Sequence, residues 1–216
     1  MRRKTLSHHP NLRMSNPELL VIAGCNGSGK SSFSKALVPG NIVPFDYDFY
    51  FLKFYQSLIP TDFQDEMAHN MAFQELEKQV QSAISNSSSF CYETNFDSNP
   101  LYWPTFFKEK GFEVNLIYFC LDSVMEAKRR VAIRVENGGH FVPEKEISRR
   151  FIQGYLNLDI HFKFFNNLHV FDCSRYNREP LYCFSLQNGN PVKTDVIPSY
   201  LKKIMPKLYS QVSEDQ

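Results

Sequence analysis

Residues 24–31 read Gly-Cys-Asn-Gly-Ser-Gly-Lys-Ser, a match to G-x-x-x-x-G-K-[ST], and they stand between an apolar run and a helical one. Leu19 to Ala23 (LLVIA) has the length and continuity of a buried strand. Ser32 to Leu37 opens a helix. Strand, glycine loop and helix in that order commit this part of the chain to an α/β arrangement. The glycines let the backbone wrap an anion closely, so that amide N–H groups converge on it. The helix N-terminus adds partial positive charge. In such a loop the lysine, here Lys30, reaches the β and γ phosphates, and the Ser31 hydroxyl ligates magnesium. Gly24, Asn26, Gly27, Ser28, Gly29, Lys30, Ser31 and Ser32 are the expected binding residues for a nucleotide with Mg2+.

Further along, residues 42–45 (IVPF) suggest a second strand, followed by the acidic-aromatic run Asp46, Tyr47, Asp48, Phe49 and Tyr50. Residues 65–86 carry helical spacing, with Met67, Met71, Leu76, Val80 and Ile84 on one side. Phe90 to Tyr92 reads as a short strand that delivers Glu93, Thr94 and Asn95 at its end. Helices are expected over 103–110, 124–136, 144–158 and 198–212, and strands over 114–121 and 168–172. Residues 181–186 suggest an added edge strand or hairpin arm. Alternating strands and helices mean an α/β fold of the P-loop NTPase and kinase type, a mainly parallel sheet with helices on both faces. Ligands then collect at the carboxyl ends of the strands.

With 216 residues, one domain over 14–212 is expected, preceded by a disordered basic arm at 1–13. The net charge of +1 gives no field for nucleic acid, and no apolar stretch has the length of a membrane span. The five cysteines are odd in number and lack C-x-x-C spacing, so they read as reduced thiols of a cytoplasmic protein. Cys25, inside the loop, is either oxidisable or simply tolerated there. The six histidines have no zinc-ligand spacing.

Phosphoryl transfer needs a phosphate cradle, a metal, a group that takes the acceptor's proton, and cations on the moving charge. Asp48 is the candidate base. Asp46, two residues earlier, is expected to point away as a solvated loop acid. Glu93, Thr94, Asn95 and His140 are candidates for substrate contact. Arg130 and Arg134 share a helix face, and Glu126 is placed to pair with Arg130, which leaves Arg134 as the better transition-state cation. Arg130, Arg149 and Arg150 are candidates for additional cations, and residues 134–150 form a candidate lid. The aromatic cluster from Tyr47 to Tyr55 flanks the acceptor pocket, as packing or as a stacking surface.

The loop AGCNGSGKSS, the Asp48 segment, YETNF at 92–96 and above all R-V-x-x-R-V-x-x-G-G-H-x-V-P at 130–143 resemble the zeta-toxin-like P-loop kinases, from about Leu19 to Leu158. The resemblance implies an ATP- and magnesium-dependent kinase. Characterised members phosphorylate an amino-sugar hydroxyl of UDP-N-acetylglucosamine, and an antitoxin blocks their ATP site. It assigns Lys30 and Ser31 to nucleotide and metal, Asp48 to the base, Glu93 and Asn95 to substrate, and Arg134 to the transition state. The prototypes place a second arginine near the position of His140. Here either His140 replaces it, or Arg149 or Arg150 reaches in.

The function expected from the sequence is therefore a small-molecule phosphotransferase. A P-loop ATPase that drives a partner protein, a kinase of nucleic-acid ends, and a member without turnover are the rivals. No sequence feature marks an antitoxin-binding segment.

Overall fold

The computed structural model describes residues 17–38 and 42–213, so the arm expected at 1–13 lies outside the described residues. Strand β1 (Glu18–Ala23) runs into the glycine loop, and α1 (Lys30–Leu37) leaves it. Helices α2 (Tyr47–Ser57) and α3 (Gln64–Ser85) follow, then β2 (Phe90–Thr94), α4 (Tyr102–Glu109) and β3 (Glu113–Cys120). Next come α5 (Val124–Glu136), α6 (Glu144–His161), a 3-10 turn, and β4 (Asn167–Asp172). The hairpin of β5 (Leu181–Gln187) and β6 (Asn190–Thr194) and the helices α7 (Tyr200–Ile204) and α8 (Pro206–Ser213) complete the described chain.

The sheet order is β2-β1-β3-β4-β5-β6. The first four strands are parallel, and β5 and β6 add on antiparallel. Every residue of β1 is buried, as are Val114 to Cys120 of β3. Successive strand side chains point to opposite faces, so helices must cover both faces of the sheet, the P-loop kinase-type arrangement. From β1 the chain goes to β2 on one side, and β3 lies on the other. The crevice at that reversal is where such sheets bind ligands.

Three expectations are corrected. Residues 42–45 form no strand; only Phe45 bridges to Tyr92, because Pro44 has no N–H to give a ladder. The aromatic run is the helix α2, started by Asp46, whose Oδ1 accepts the Phe49 N–H at 3.2 Å. The buried face of α3 includes Leu76 and Val80 as expected, but its first turns bury alanines and not Met67. Ala68 and Ala72 pack against Phe51 of α2, while Met67 is exposed. Small residues are needed there because two helices carrying large rings can approach only over alanine. The C-terminal helix is divided at Pro206 into α7 and α8.

All five cysteines are buried and free. No described helix is long and apolar enough to cross a membrane.

Candidate active site

A cleft of about 1340 Å³ opens over the carboxyl rim of β1 and β2. Its floor is the loop at 24–31, whose path depends on glycine. Gly24 has φ +149°, and a Cβ there would lie 2.5 Å from the Phe119 carbonyl oxygen. The loop is thus pressed against the end of β3, closer than any side chain permits. Gly27 has φ +80°, and its Cβ would meet Ala127 O at 3.0 Å. The Ser28 Oγ is buried in this loop without a hydrogen-bond partner among the described residues. Buried polar atoms are rarely left so, and one inside an anion loop fits a ligand oxygen. Cys25 is 2% exposed, and burial pushes its thiol up to about 12, so it is no activated thiolate.

Lys30 curls back over the loop. Its Nζ donates to Gly24 O at 2.6 Å, to Cys25 O at 3.2 Å and to Asn95 Oδ1 at 3.2 Å. Burial lowers the Lys30 ammonium below its ordinary value, opposed by nearby Glu93 and Asp48.

Ser31 stands at the first turn of α1 between two carboxylates. Its Oγ lies 2.7 Å from Glu93 Oε2 and 3.4 Å from Asp46 Oδ2. Glu93 also accepts from Ser34 Oγ at 2.8 Å. Burial raises the Glu93 carboxyl, partly offset by the Ser31 and Ser34 hydroxyls. Asp46 therefore faces the site and is not the outward loop acid that an extended strand would make it. The N-cap position of α2 turns it inward. A hydroxyl and two carboxylates form an all-oxygen donor set suited to a hard cation. Among the described residues no three acidic, histidine or cysteine side chains form a closed metal cage. Ser31, Asp46 and Glu93 are the residues that would hold Mg2+ here.

Asp48, in the first turn of α2, meets Arg134 from the last turn of α5, with Oδ2 3.9 Å from NH1. The Arg134 NH2 holds the His140 carbonyl at 2.9 Å, while its Nε is buried without a partner among the described residues. Thus α5 supplies both the guanidinium and the anchor of the loop at 138–143.

Arg130 is committed elsewhere. It binds Glu126 at 2.5 Å and the carbonyls of Cys173 at 2.8 Å and Ser174 at 3.0 Å, with Gly27 O at 3.4 Å. Hydrogen bonds from Arg129 and Arg130 hold the Glu126 carboxyl down to about 2. Arg130 braces the phosphate loop against the end of β4.

The three residues left open for a second cation occupy different places. His140 packs edge-on against Phe51 at 5.2 Å, and burial lowers its pKa, which favours a neutral ring. Arg149 is tied to Asp97 at 2.7 Å and Glu146 at 2.9 Å. Arg150 points at the loop, with NH1 3.4 Å from Asn26 Oδ1. Thr94 lines the cleft and accepts the Phe96 N–H through its Oγ1 at 3.1 Å. Sequence reasoning passed over Ser34, Asp97 and Asn157. Asn157 of α6 holds the Phe96 and Asp97 carbonyls at 2.8 and 2.9 Å, which fixes the turn after β2. A lone asparagine within a helix gives no sequence signal for that.

The family model described as Zeta toxin matches residues 3–179. No curated protein matches the chain. Among solved structures, the complex of AvrRxo1-ORF1 with AvrRxo1-ORF2 and sulphate ions is similar at TM-score 0.63 and 15% identity. That match covers 89% of this chain and 64% of the other, so this chain spans less than two thirds of that relative. The same complex has been solved with ATP. The PezAT chromosomal toxin-antitoxin system of Streptococcus pneumoniae matches at TM-score 0.56 and 17% identity, over 93% of this chain and 83% of the other. A protein named as a candidate kinase from Chloroflexus aurantiacus J-10-fl matches at TM-score 0.52 and 19% identity, over 62% and 78%. At these identities the structural likenesses establish the fold.

Proposed function

The chain belongs to the zeta toxin family, and from that premise we propose that it is an ATP-dependent phosphotransferase moving the γ-phosphoryl group to a hydroxyl of a small molecule. One observation carries the reading: Lys30, Ser31, Asp48, Glu93 and Arg134 line a single cleft over the phosphate loop. The ATP present in one AvrRxo1 complex supports ATP as donor.

In this mechanism residues 24–31 cradle the triphosphate, and Lys30 exchanges its loop carbonyls for phosphate oxygens. Ser31, with Asp46 and Glu93 beside it, would hold Mg2+, which supplies charge neutralisation on the phosphates. Asp48 accepts the hydrogen of the acceptor hydroxyl and orients it in line. Arg134 carries developing charge on the transferred group through NH1, the nitrogen that stands beside Asp48. Arg150 serves the loop side. The segment at 134–150 closes over the nucleotide and excludes water, which would otherwise compete as acceptor.

Family membership suggests a UDP-amino sugar as the acceptor. An antitoxin that covers the cleft mouth and a cytoplasmic location, with five reduced thiols, belong to the same reading.

The test is incubation with γ-labelled ATP, Mg2+ and a panel of alcohols. Label in an organic product is the expected result, and Lys30→Ala is expected to abolish ATP binding. Label found only as free phosphate would favour an ATPase that acts on a partner.

A further inference from the structure

Resting on the phosphotransferase reading, we propose that Tyr200 and Asp172 are positioning residues for the nucleotide loop and act on it through Arg130. Neither of the two lines the cleft, whereas Arg130 does. The C-terminal helices thereby help to hold the nucleotide without touching it.

Hydrogen bonds form a continuous path from α7 to residue 27. Tyr200, at the start of α7, donates its hydroxyl to Asp172 Oδ1 at 2.8 Å. The same oxygen accepts the Ser174 N–H at 3.0 Å and the Ser174 hydroxyl. The Ser174 hydroxyl oxygen in turn accepts the Asp122 N–H at 2.9 Å, which ties the turn after β4 to the end of β3. Hydrogen bonds to a carboxylate are stronger than those between neutral groups, and three on one oxygen leave residues 173–174 little freedom. Burial pushes the Tyr200 hydroxyl far above its ordinary value, so it remains a donor.

That turn presents the Cys173 and Ser174 carbonyls to a single nitrogen, NH2 of Arg130. Because the guanidinium is a rigid fork, two acceptors on one nitrogen fix its plane. Glu126 holds the other edge through Nε. NH1 is then directed at Gly27 O, 3.4 Å away, the longest bond of the set. The stem presses on the loop as well, since a Cβ on Gly27 would lie 3.1 Å from Arg130 Cβ. A shift of residues 173–174 would carry the guanidinium with it and release the loop carbonyl at 27. Docking of α7 does not itself need the Tyr200 hydroxyl, because Leu201 and Met205 of the same segment are buried in the core. The hydroxyl serves the turn instead.

The experiment titrates the full chain with a non-hydrolysable ATP analogue and Mg2+ by calorimetry. Tyr200→Phe, which keeps the ring, is expected to weaken binding about fivefold. Asp172→Ala is expected to weaken it about tenfold or more, and Asp172→Asn, which retains an accepting oxygen, to restore it to within about twofold of wild type. Leu208→Val, a change in the buried face of α8, is expected to lower Tm and leave the affinity unchanged. In an Arg130→Lys background the effect of Tyr200→Phe is expected to disappear, since the path is already cut. Unweakened binding in Tyr200→Phe and Asp172→Ala overturns the proposal. So does equal weakening in Leu208→Val, failure of Asp172→Asn to restore binding, or a Tyr200→Phe effect that persists beside Arg130→Lys. Absence of binding by the wild-type chain overturns both readings. The expected pattern of affinities without transfer of label supports the positioning role and counts against the phosphotransferase reading alone.

Discussion

Asp48 and Arg134 approach to 3.9 Å across the cleft, one from the start of α2 and the other from the end of α5. Both are partly open to solvent, at 44% and 38% side-chain exposure, so the pair contributes little to stability. Its consequence is positional. A proton acceptor and a fixed cation stand together at the outer end of the phosphate loop.

Replacing Asp48 by Asn keeps the shape and removes the basic oxygen. Transfer to the acceptor is expected to fall by roughly 10²- to 10⁴-fold, the usual contribution of a positioned base. ATP affinity should stay nearly unchanged. Single-turnover kinetics beside nucleotide titration separates the two, and transfer at the wild-type rate would remove Asp48 from the chemistry.

Arg134→Ala is expected to lower kcat by about 100-fold or more, the order associated with lost transition-state cations. The KM for ATP should move little. The Arg134 bond to the His140 carbonyl also anchors the loop at 138–143, so Arg134→Lys serves as control. Restoration of KM without kcat would separate anchoring from charge stabilisation. An effect confined to KM in both variants would assign Arg134 to ground-state binding.

Glu93 links pH, metal and stability. Burial raises its folded pKa above the ordinary 4.5, so the folded state binds this proton more readily than the unfolded chain does. Its contribution is fully present below 4.5 and is lost as pH rises through the folded value. Glu93→Gln is therefore expected to raise Tm at neutral pH without metal, and the gain should vanish in acid. Magnesium with nucleotide should stabilise wild type more than the variant. Thermal melts over a pH series check both, and a Tm gain independent of pH would disprove the linkage.

Tyr155 of α6 is 1% exposed, and its hydroxyl binds both the N–H and the carbonyl of Leu121 at 2.7 Å. Tyr155→Phe leaves two backbone groups at the end of β3 without partners, at a cost of about 1–3 kcal/mol. Denaturant unfolding is expected to show that loss with an unchanged m-value.

Local stretches of this chain announce themselves. The apolar run at 19–23, the glycine loop and the following helix are recognisable because each conformation is set by adjacent residues. The helix over the aromatic residues of α2 was not legible: their rings favour strands locally, while the Asp46 cap and the packing of Phe51 over Ala68 and Ala72 hold the segment as a helix. The face of α3 was legible at Leu76 and Val80 and hidden at Ala68 and Ala72, since alanine signals nothing until a ring is placed above it.

The chemistry-bearing residue types could be picked out one by one, but their grouping could not. Ser31 meets Glu93 because β2 pairs beside β1, and it meets Asp46 because α2 begins where the Phe45 bridge ends. By itself the sequence determined the anion loop, the strand and helix that hold it, and the alternation that builds a parallel sheet. These rest on torsional preference and on burial repeated along the chain. Tertiary structure alone decided that Asp46 turns inward, and that Arg130 braces the loop while Arg134 faces Asp48. The physical reason is that desolvation and charge pairing depend on distances between remote segments, and folding sets those distances through strand order.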